Sequence, residues 1–548
     1  MRAAGDRWSR LSWPLGFAAL GIVLFFVYYL QSSRAAYVNS DGASNALQAW
    51  AMLHGNVLLH GWTVSDVSFY TTELPQYAIV EAFRGLNSDV VHICGAMTYA
   101  ALVLLAAWLA KGDASGRRAI TSAAIAVGIM LAPQLGNPTG MLLLSPDHVG
   151  TGVPLLVAWL LVDRWAPSGR TGEPDQTGRP DRLSTRWLVP VAVGVILAWT
   201  AVGDQLAEVI GAVPLAFTCA LRVIWVKWRR QAQLRDCWYE LSLGAAAVLS
   251  VPAAWLGVKL IAAAGGWTVT APRSGFAAAS VLGRNAALTG TGLLQLFGAD
   301  FPGQPTATQT VFAVIHLAGL ALAAWALCLA VRRFFGEQLI VQVLVIAIVV
   351  NLAAYMFTVQ AESIATTREI AAVLPFGAVL AGRLLPGPLF AAVTRPRWLA
   401  VCTVSLVLFL ACDVIMLGYD ASQTQPGPGQ VANLAHWLAA HKLTRGLGGY
   451  WQSNSVTLDS SGNVMVRAID INGGKLTTGA YWEASSAWYD PETGYANFIV
   501  DAPPPWHPDD AGVLVSHMEA IAGKPAKVYH IKGYTIAIWH ENLLVRLA

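Results

Sequence analysis

The chain has 548 residues, of which 55% are hydrophobic and only 12% are charged, and its formal net charge is +3. A soluble globular domain carries about 25% charged residues, so this composition excludes an ordinary water-soluble protein. The small net charge, with no basic stripe, also argues against a nucleic-acid partner. The sequence therefore predicts a protein of the lipid bilayer.

Apolar runs long enough to cross a bilayer follow one another along most of the chain. A spanning helix needs about 20 mostly apolar residues, because its backbone polar groups must pair within the helix. On this criterion we predict an α-helical polytopic membrane protein with about eleven transmembrane helices. They are predicted near residues 13–31, 89–110, 119–135, 148–164, 187–203, 206–224, 238–263, 310–331, 338–358, 370–385 and 398–418.

The first apolar run has two interpretations. Three arginines within residues 2–10 precede the apolar residues 15–30, and a cleavable signal peptide has the same pattern. Tyr28 and Tyr29, near the end of the run, are typical of an aromatic anchor at the membrane interface. We therefore expect an uncleaved first helix.

Basic residues set the predicted orientation. They fall in alternate loops, all on the side of the N-terminal arginines, while the loops between them are poor in lysine and arginine. Because such residues stay in the cytoplasm, the N-terminus is predicted to be cytoplasmic and the C-terminal domain extracytoplasmic. The abundance of arginine and alanine is typical of a GC-rich bacterial genome, so we expect a bacterial plasma (inner) membrane. The basic loops contain Lys111, Arg117 and Arg118; Arg164, Arg170, Arg179, Arg182 and Arg186; Lys227, Arg229, Arg230 and Arg235; Arg332 and Arg333; and Arg395 and Arg397.

The chain is predicted to have two domains. Residues 1–418 form a transmembrane domain with two long outer loops, 32–88 and 264–309, and residues 419–548 form an extracytoplasmic domain. Residues 165–186 are rich in proline, glycine and charge, which predicts a flexible cytoplasmic linker.

The C-terminal domain shows a mixed pattern. A helix is predicted over 431–441, and turn signals such as those at 461–463 and 472–474 separate strand-like runs, which predicts a small α+β or β-rich domain. Aromatic residues are frequent there. Stacking on sugar rings and packing in a core both explain them, so both interpretations stay open. The predicted strands are 455–458, 464–469, 497–500, 513–515, 527–531 and 535–539, and the aromatic residues are Tyr450, Trp451, Tyr481, Trp482, Trp488, Tyr489 and Trp506.

The first outer loop carries acidic residues close to the membrane. Residues 43–54 are predicted to be helical with Ser40 or Asp41 as N-cap, and stabilisation at a helix N-terminus would by itself explain that aspartate. Transfer of a sugar from a phospholipid carrier, however, needs a carboxylate that takes the proton of the acceptor hydroxyl. Asp41 is therefore the candidate catalytic base, and Asp66 and Glu73 are candidate supporting acids.

A departing phosphate needs positive charge, which a side chain or a divalent metal can supply. Arg368 is one candidate, because a guanidinium binds phosphate through two parallel hydrogen bonds, although a local pair with Glu369 also explains it. His148 is a second candidate for phosphate or metal, with a polar helix cap as the alternative. If a divalent cation such as Mg²⁺ or Mn²⁺ is the cofactor, Asp41, Asp66 and Asp147 are the candidate ligands.

Several short motifs together resemble the GT-C superfamily of integral-membrane glycosyltransferases. Residues 39–42 read Asn-Ser-Asp-Gly, 54–56 read His-Gly-Asn, and 72–77 read Thr-Glu-Leu-Pro-Gln-Tyr before the second span. The stretch 366–375 is similar to an arginine-containing segment that opens a late membrane helix in many members. The resemblance covers about residues 10–420.

This resemblance implies an inverting glycosyltransferase. Its donor would be a polyprenyl-phosphate sugar, and its acceptor an envelope glycan, lipid or protein at the outer membrane face. In such proteins an acid of the first outer loop is the proposed base, and Asp41 matches that position. Asp41 is followed by Gly42, where many members carry a second acid. The functional residues of the outer loops are expected to converge at one membrane surface.

A transporter or flippase of lipid-linked or envelope precursors, without bond chemistry, is the main alternative. It predicts charged or broken helices in mid-membrane, and often internal repeats, whereas few mid-helix charges and no repeat are evident. The third hypothesis is a non-catalytic anchor for the C-terminal domain, for which roughly one or two spanning helices would suffice.

Overall fold

The computed structural model describes residues 2–35, 37–134, 142–143, 147–165, 188–230, 233–270, 274–387, 396–423, 430–503 and 512–547. The helices are α1 (Arg2–Ala35), α2 (Ser40–Leu53), α3 (Leu74–Arg84), α4 (Asp89–Lys111), α5 (Gly116–Met130), α6 (Gly152–Trp165), α7 (Leu188–Gly203), α8 (Val213–Arg230), α9 (Trp238–Ala263), α10 (Leu282–Leu296), α11 (Ala307–Arg332), α12 (Leu339–Phe357), α13 (Val373–Leu384), α14 (Pro396–Gln423), α15 (Gln430–Ala440), α16 (Tyr450–Asp459) and α17 (Val513–Ala522). The strands are β1 (Trp62–Val64), β2 (Thr268–Val269), β3 (Arg445–Gly448), β4 (Met465–Asn472), β5 (Lys475–Thr478), β6 (Ala484–Ser485), β7 (Phe498–Asp501), β8 (Lys527–Ile531) and β9 (Tyr534–Ile538). The predicted linker after residue 165 and Trp506 lie outside the described residues.

The chain divides into two compact units. The first, here called the membrane unit, comprises residues 1–35, 95–256 and 273–425; the second, the sheet unit, comprises residues 36–94, 257–272 and 426–548. The predicted domain boundary near residue 418 stays a prediction, and two segments of the predicted outer loops, residues 36–94 and 257–272, belong to the sheet unit. The physical reason is packing within the sheet unit, where α2 lies against α16, and β1 pairs with both β2 and β6.

The helices confirm a multi-pass membrane protein, although the predicted number of eleven spans is not confirmed. In the described part of the chain, seven helices are long and apolar enough to cross a membrane, or eight if one bent pair counts as a single span. In the segments predicted near 119–135, 148–164 and 187–203, the described helical residues number 15, 14 and 16, so these segments are not among the seven. The seven spans are Trp13–Arg34, Asp89–Lys111, Glu208–Arg229, Leu234–Ala263, Ala307–Arg332, Leu339–Phe357 and Ala400–Ser422, and the bent pair is Ile364–Ile370 with Val373–Leu384.

The membrane unit has one continuous apolar core. The last carbonyl groups of a helix have no partner within the helix. At the end of α5, two buried tyrosines donate hydrogen bonds to such carbonyls. The Tyr99 hydroxyl donates to the Met130 carbonyl at 2.8 Å, and the Tyr28 hydroxyl donates to the Leu131 carbonyl at 2.8 Å. Each bond satisfies a carbonyl that apolar neighbours would leave unpaired.

The sheet unit confirms the predicted β-containing C-terminal domain. Its larger sheet has the order β5-β4-β3-β7-β9-β8, in which β3 runs parallel to β4 and β7 and the other pairs are antiparallel. The turn at Gly473 and Gly474 joins β4 to β5 with positive φ at both residues, as a tight hairpin requires.

Four of the six predicted strands are confirmed, and two are wrong. The runs at 455–458 and 513–515 lie in α16 and α17 instead. Runs of three or four residues are too short to show whether the apolar period is that of a helix or of a strand. The predicted helix at 431–441 is present as α15.

Candidate functional site

The first acid of the outer loop lies in the first turn of α2, in the sheet unit. Asn39 is the N-cap, because its side-chain oxygen accepts a hydrogen bond from the Gly42 amide at 2.9 Å. The prediction that Ser40 or Asp41 caps this helix is therefore wrong. Asp41 lies in the first turn instead, where the helix dipole favours its negative charge.

The Asp41 carboxylate is held by a tyrosine from the C-terminal part of the chain. The Tyr450 hydroxyl donates a hydrogen bond to Asp41 Oδ1 at 2.7 Å. The same hydroxyl lies against Glu483 Oε2. One phenol therefore joins two carboxyl groups within the sheet unit.

Backbone contacts fix this group of three residues. The Ser40 hydroxyl donates to the Tyr450 carbonyl at 2.5 Å, and the Ser44 hydroxyl donates to the Glu483 carbonyl at 3.4 Å. Glu483 is 4% exposed and has a φ of 46°, a strained conformation for a residue with a side chain. Strain of this kind is concentrated at functional sites.

The proton count of the three side chains is constrained. Burial, followed by the charges of Asp41 and Glu483, raises the pKa of the Tyr450 hydroxyl well above its usual value. The phenol therefore stays protonated and has one proton to donate. Because this single proton faces two carboxyl oxygens, the hydroxyl donates a full hydrogen bond to only one of them at a time.

Glycine residues allow the close approach that this geometry needs. A Cβ atom at Gly42 would lie 2.8 Å from a side-chain carbon of Val91, which explains why a second acid does not follow Asp41. A Cβ at Gly448, just before α16, would lie 2.9 Å from the Val500 carbonyl oxygen. Both positions therefore exclude larger residues.

The two predicted supporting acids, Asp66 and Glu73, have environments that differ from that of Asp41. Asp66 is half-buried and makes no hydrogen bond or ion pair with any described residue. Glu73 is 1% exposed and precedes α3 as its N-cap residue. The carboxyl group that shares a hydroxyl with Asp41 is that of Glu483, and the roles of Asp66 and Glu73 stay predictions.

The predicted phosphate-binding residues lie in the membrane unit. Arg368 Nη1 is 3.9 Å from Asp147 Oδ2, so the guanidinium has an acidic neighbour. His148 Nδ1 lies 3.0 Å from Asp204 Oδ2, and Asp204 is 1% exposed. Asp204 also accepts bonds from the Thr151 hydroxyl and the Leu206 amide, which fixes its orientation and that of the imidazole.

The space beside His148 is small. The cavity that its side chain lines with Tyr99, Pro375 and other residues has a volume of about 10 Å³, enough for about one water molecule. A phosphate group does not fit there without movement. Among the described residues, no group of three or more His, Cys, Asp or Glu side chains could hold a metal ion. The expected divalent cation stays a prediction.

A larger cavity in the same unit contains an arginine that the sequence analysis did not select. Its volume is about 380 Å³, and Arg284, Asn285, Thr358 and Glu362 line it. Arg284 Nη2 lies 3.3 Å from the Ala361 carbonyl and 3.5 Å from Asn285 Oδ1. Within the described part of the chain, its guanidinium has no carboxylate partner, so it can bind an external anion.

The sequence contained signals for these missed residues. Arg284 is one of two arginines, with Arg273, in an outer loop that is otherwise without basic residues, so its presence there needed a reason. Tyr450 follows two glycines between a strand and a helix, a place where backbone approach is close. We find no local signal for Glu483, which is joined to Tyr450 only by the fold.

Comparison with known proteins shows the fold. No family model matches the chain, and no curated protein matches its sequence. ArnT from Cupriavidus metallidurans, in a structure bound to undecaprenyl phosphate, matches with a TM-score of 0.53 and 12% identity over 96% of this chain and 98% of that one. The same protein in the apo state matches with a TM-score of 0.51 and 13% identity.

A second solved protein has the same architecture. The apo oligosaccharyltransferase of Archaeoglobus fulgidus matches with a TM-score of 0.51 and 14% identity, over 90% of this chain and 70% of that chain. Both ArnT and this oligosaccharyltransferase are membrane glycosyltransferases of the GT-C superfamily. Identities this low establish architecture rather than reaction. The chain therefore has the GT-C fold, as its sequence motifs predicted.

Proposed function

We propose that this protein is an inverting membrane glycosyltransferase. It moves a sugar from a polyprenyl-phosphate carrier to an envelope glycan, lipid or protein at the outer face of a bacterial plasma membrane. The GT-C fold supports this proposal, as does the binding of undecaprenyl phosphate by ArnT, which shares that fold. The alternation of basic loops supports a cytoplasmic N-terminus and an extracytoplasmic C-terminal domain.

The position of Asp41 carries the proposal. Its carboxylate lies in the first turn of α2 and receives the Tyr450 hydroxyl at 2.7 Å. A general base must have an oriented carboxylate, and this hydrogen bond holds the Asp41 side chain in place. A carboxylate that only capped a helix would bond to backbone amides, a task that Asn39 performs.

The chemistry is a single displacement. The acceptor hydroxyl oxygen forms a bond to the anomeric carbon while the bond between that carbon and the phosphate oxygen breaks. Asp41 takes the hydroxyl proton, and the polyprenyl phosphate leaves with the bonding electron pair. Because one displacement occurs, the configuration at the anomeric carbon inverts.

The leaving phosphate needs a cation, and we assign this role to Arg284. Its guanidinium lines the larger cavity and has no described carboxylate partner, whereas Arg368 has Asp147 at 3.9 Å. A guanidinium whose charge a nearby carboxylate already balances attracts a phosphate less strongly than one without such a neighbour. Arg368 remains the second candidate, because 36% of its side chain is exposed.

Replacement of the base tests the proposal. In a strain whose only copy carries Asp41→Asn or Asp41→Ala, we expect transfer to envelope acceptors to fall about 10²–10⁴-fold, the usual contribution of a general base. The assay compares extracted envelope glycans, glycolipids and glycoproteins by mass spectrometry. Asp89→Asn is the matched control, since Asp89 forms an exposed pair with Arg84. Normal transfer by folded Asp41→Asn protein would refute the assignment.

One observation favours the flippase alternative. His316 in α11 and Asp413 in α14 are 4% and 1% exposed, and His316 Nε2 lies 3.2 Å from Asp413 Oδ1 within two spanning helices. Buried ionisable pairs inside a membrane often mark ion pathways. A fluorescent polyprenyl-phosphate sugar in proteoliposomes separates the proposals. Translocation that persists in Asp41→Asn and disappears in Asp413→Asn would favour transport.

A further inference from the structure

One arginine of the C-terminal sheet lacks the partners that a buried cation needs. Arg467 lies on β4, opposite Leu447 of β3, and its residue is half-buried. Its Nη1 atom is fully buried and has no hydrogen-bond partner. Among the described residues, Arg467 makes neither a hydrogen bond nor an ion pair. A guanidinium carries five donors, so this is an unusual amount of unmet bonding capacity.

Aromatic packing holds this side chain in place. The Arg467 guanidinium carbon lies 3.8 Å from the centre of the Trp488 ring, the distance of a cation–π contact. Trp488 packs edge to face on Trp62, with ring centres 4.8 Å apart. The indole covers one face of the guanidinium. The N–H donors lie in the plane of the guanidinium, so the indole leaves them available to an oxyanion that binds in that plane.

A second cation adds to the positive charge. Arg445 on β3 pairs with Met465 of β4, so Arg445 and Arg467 lie on the same face of the sheet. Arg445 is exposed and has no described ion-pair partner. Burial lowers the pKa of Arg467 to about 10; Tyr489 opposes this shift, and Arg445 adds to it. The face therefore repels cations and attracts anions.

We infer that Arg467 and Arg445 form a binding site for an oxyanionic group, either a carboxylate or a phosphate. Such a group would supply the missing acceptors and neutralise two neighbouring charges at once. The flat fork of Arg467 suits two-point binding, and Trp488 fixes its plane. This site does not depend on the proposed sugar transfer, because none of its residues belongs to the Asp41 or Arg284 sites.

Anion binding by the full-length protein tests this inference. The protein is placed in phosphatidylcholine nanodiscs and titrated with inorganic phosphate, glucuronate and neutral glucose at constant ionic strength. We expect phosphate or glucuronate, but not glucose, to raise the melting temperature. Because hydrogen bonds to charged groups are lost, Arg467→Gln should weaken this binding about tenfold or more. A response to one anion alone identifies the phosphate or the carboxylate as the ligand of this site, provided that Arg467→Gln weakens that response.

Three variants keep the result interpretable. Arg546→Gln changes an exposed arginine that pairs with Glu541 at 2.9 Å, and it should respond like the wild type. Arg284→Gln should keep the glucuronate response even if it removes phosphate binding at the proposed donor site, which separates the two sites. Without anions, Arg467→Met should be at least as stable as the wild type, because it removes an unpaired cation.

Two results would overturn the inference. One is an anion response of equal size in wild type and Arg467→Gln, or none in either. The other is a loss of stability in Arg467→Met without any anion response in the wild type, which would make Arg467 a structural contact of Trp488.

Discussion

The two units of the molecule differ in how they treat buried charge. In the membrane unit, Arg383 bonds to Asp163 and to the Leu109 carbonyl at 2.8 Å, so its charge is fully paired. In the sheet unit, Arg467 and both carboxylate oxygens of Glu81 have no hydrogen-bond partner among the described residues. A charge inside a bilayer is costly and is nearly always paired, so the Asp163 partner makes the charge of Arg383 tolerable there. In the sheet unit, buried charged groups without a partner indicate sites that bind a ligand or take up a proton.

Arg284 is an exception to the pairing of charges in the membrane unit. It is a membrane-unit arginine without a described carboxylate partner, and it lines the cavity of about 380 Å³. By the same reasoning, its lack of a partner indicates a ligand rather than a structural role. Arg284 therefore resembles Arg467 of the sheet unit more than it resembles the paired Arg383 of its own unit.

Breaking a pair of the membrane unit should have the largest effect. Arg383→Ala leaves the largely buried Asp163 without its counter-ion, and we expect a loss of about 3–5 kcal/mol in stability. Thermal unfolding in detergent measures it. The double replacement of Arg383 and Asp163 by leucine should recover most of the loss. Unchanged stability of Arg383→Ala would show that pairing in this unit is not required.

Removing the Tyr450 hydroxyl, which contacts both Asp41 and Glu483, should have the next largest effect. It should lower the rate of sugar transfer without changing the fold. Tyr450→Phe deletes the donor that holds Asp41, and we expect transfer to slow about 10–100-fold, the value of a charge-assisted hydrogen bond. The assay is transfer to envelope acceptors, with circular dichroism to confirm folding. A normal rate would remove Tyr450 from the site.

Variants of Glu483 distinguish a protonated carboxyl at this position from an ionised one. If the Glu483 carboxyl is protonated, it donates a hydrogen bond to the Tyr450 oxygen. Glu483→Gln keeps such a donor, and Glu483→Ala does not. We expect the glutamine variant to be roughly tenfold more active than the alanine variant, because it keeps one hydrogen bond of the group. Equal loss in both would mean that Glu483 acts as an anion.

Glu81 provides the most specific effect, a change in how stability depends on pH. Burial raises the pKa of its carboxyl from 4.5 to about 9. Between these values the folded state holds a proton that the unfolded state has lost, so stability decreases as pH rises. Glu81→Gln should remove this slope and add roughly 1–3 kcal/mol at pH 8. Melting temperatures from pH 5 to pH 9 measure it, and parallel curves for both proteins would contradict it.

The sequence predicted what depends on local pattern. Apolar runs and basic loops gave the multi-pass architecture, and the glycines at 473 and 474 gave the β4–β5 hairpin, because each follows from neighbouring residues. The helix over 450–459 was missed, since a short apolar run fits both periods.

The candidate site depended on the fold for its partners. Asp41 was selected from its loop, but Tyr450 is 409 positions away in the chain. Contacts at such separations follow from packing and leave no periodic signal in one sequence. The same holds for Arg467, whose lack of partners appears only when every neighbour is known.

Binding of undecaprenyl phosphate tests the central claim most directly, because it separates holding the lipid from proton transfer. Wild type, Asp41→Asn and Arg284→Gln are compared in nanodiscs by the thermal shift that the lipid causes. The account predicts that Asp41→Asn binds like the wild type while Arg284→Gln binds about tenfold more weakly, the effect of losing a hydrogen-bonded charge. No binding by the wild type, or equal binding by all three proteins, would contradict the account.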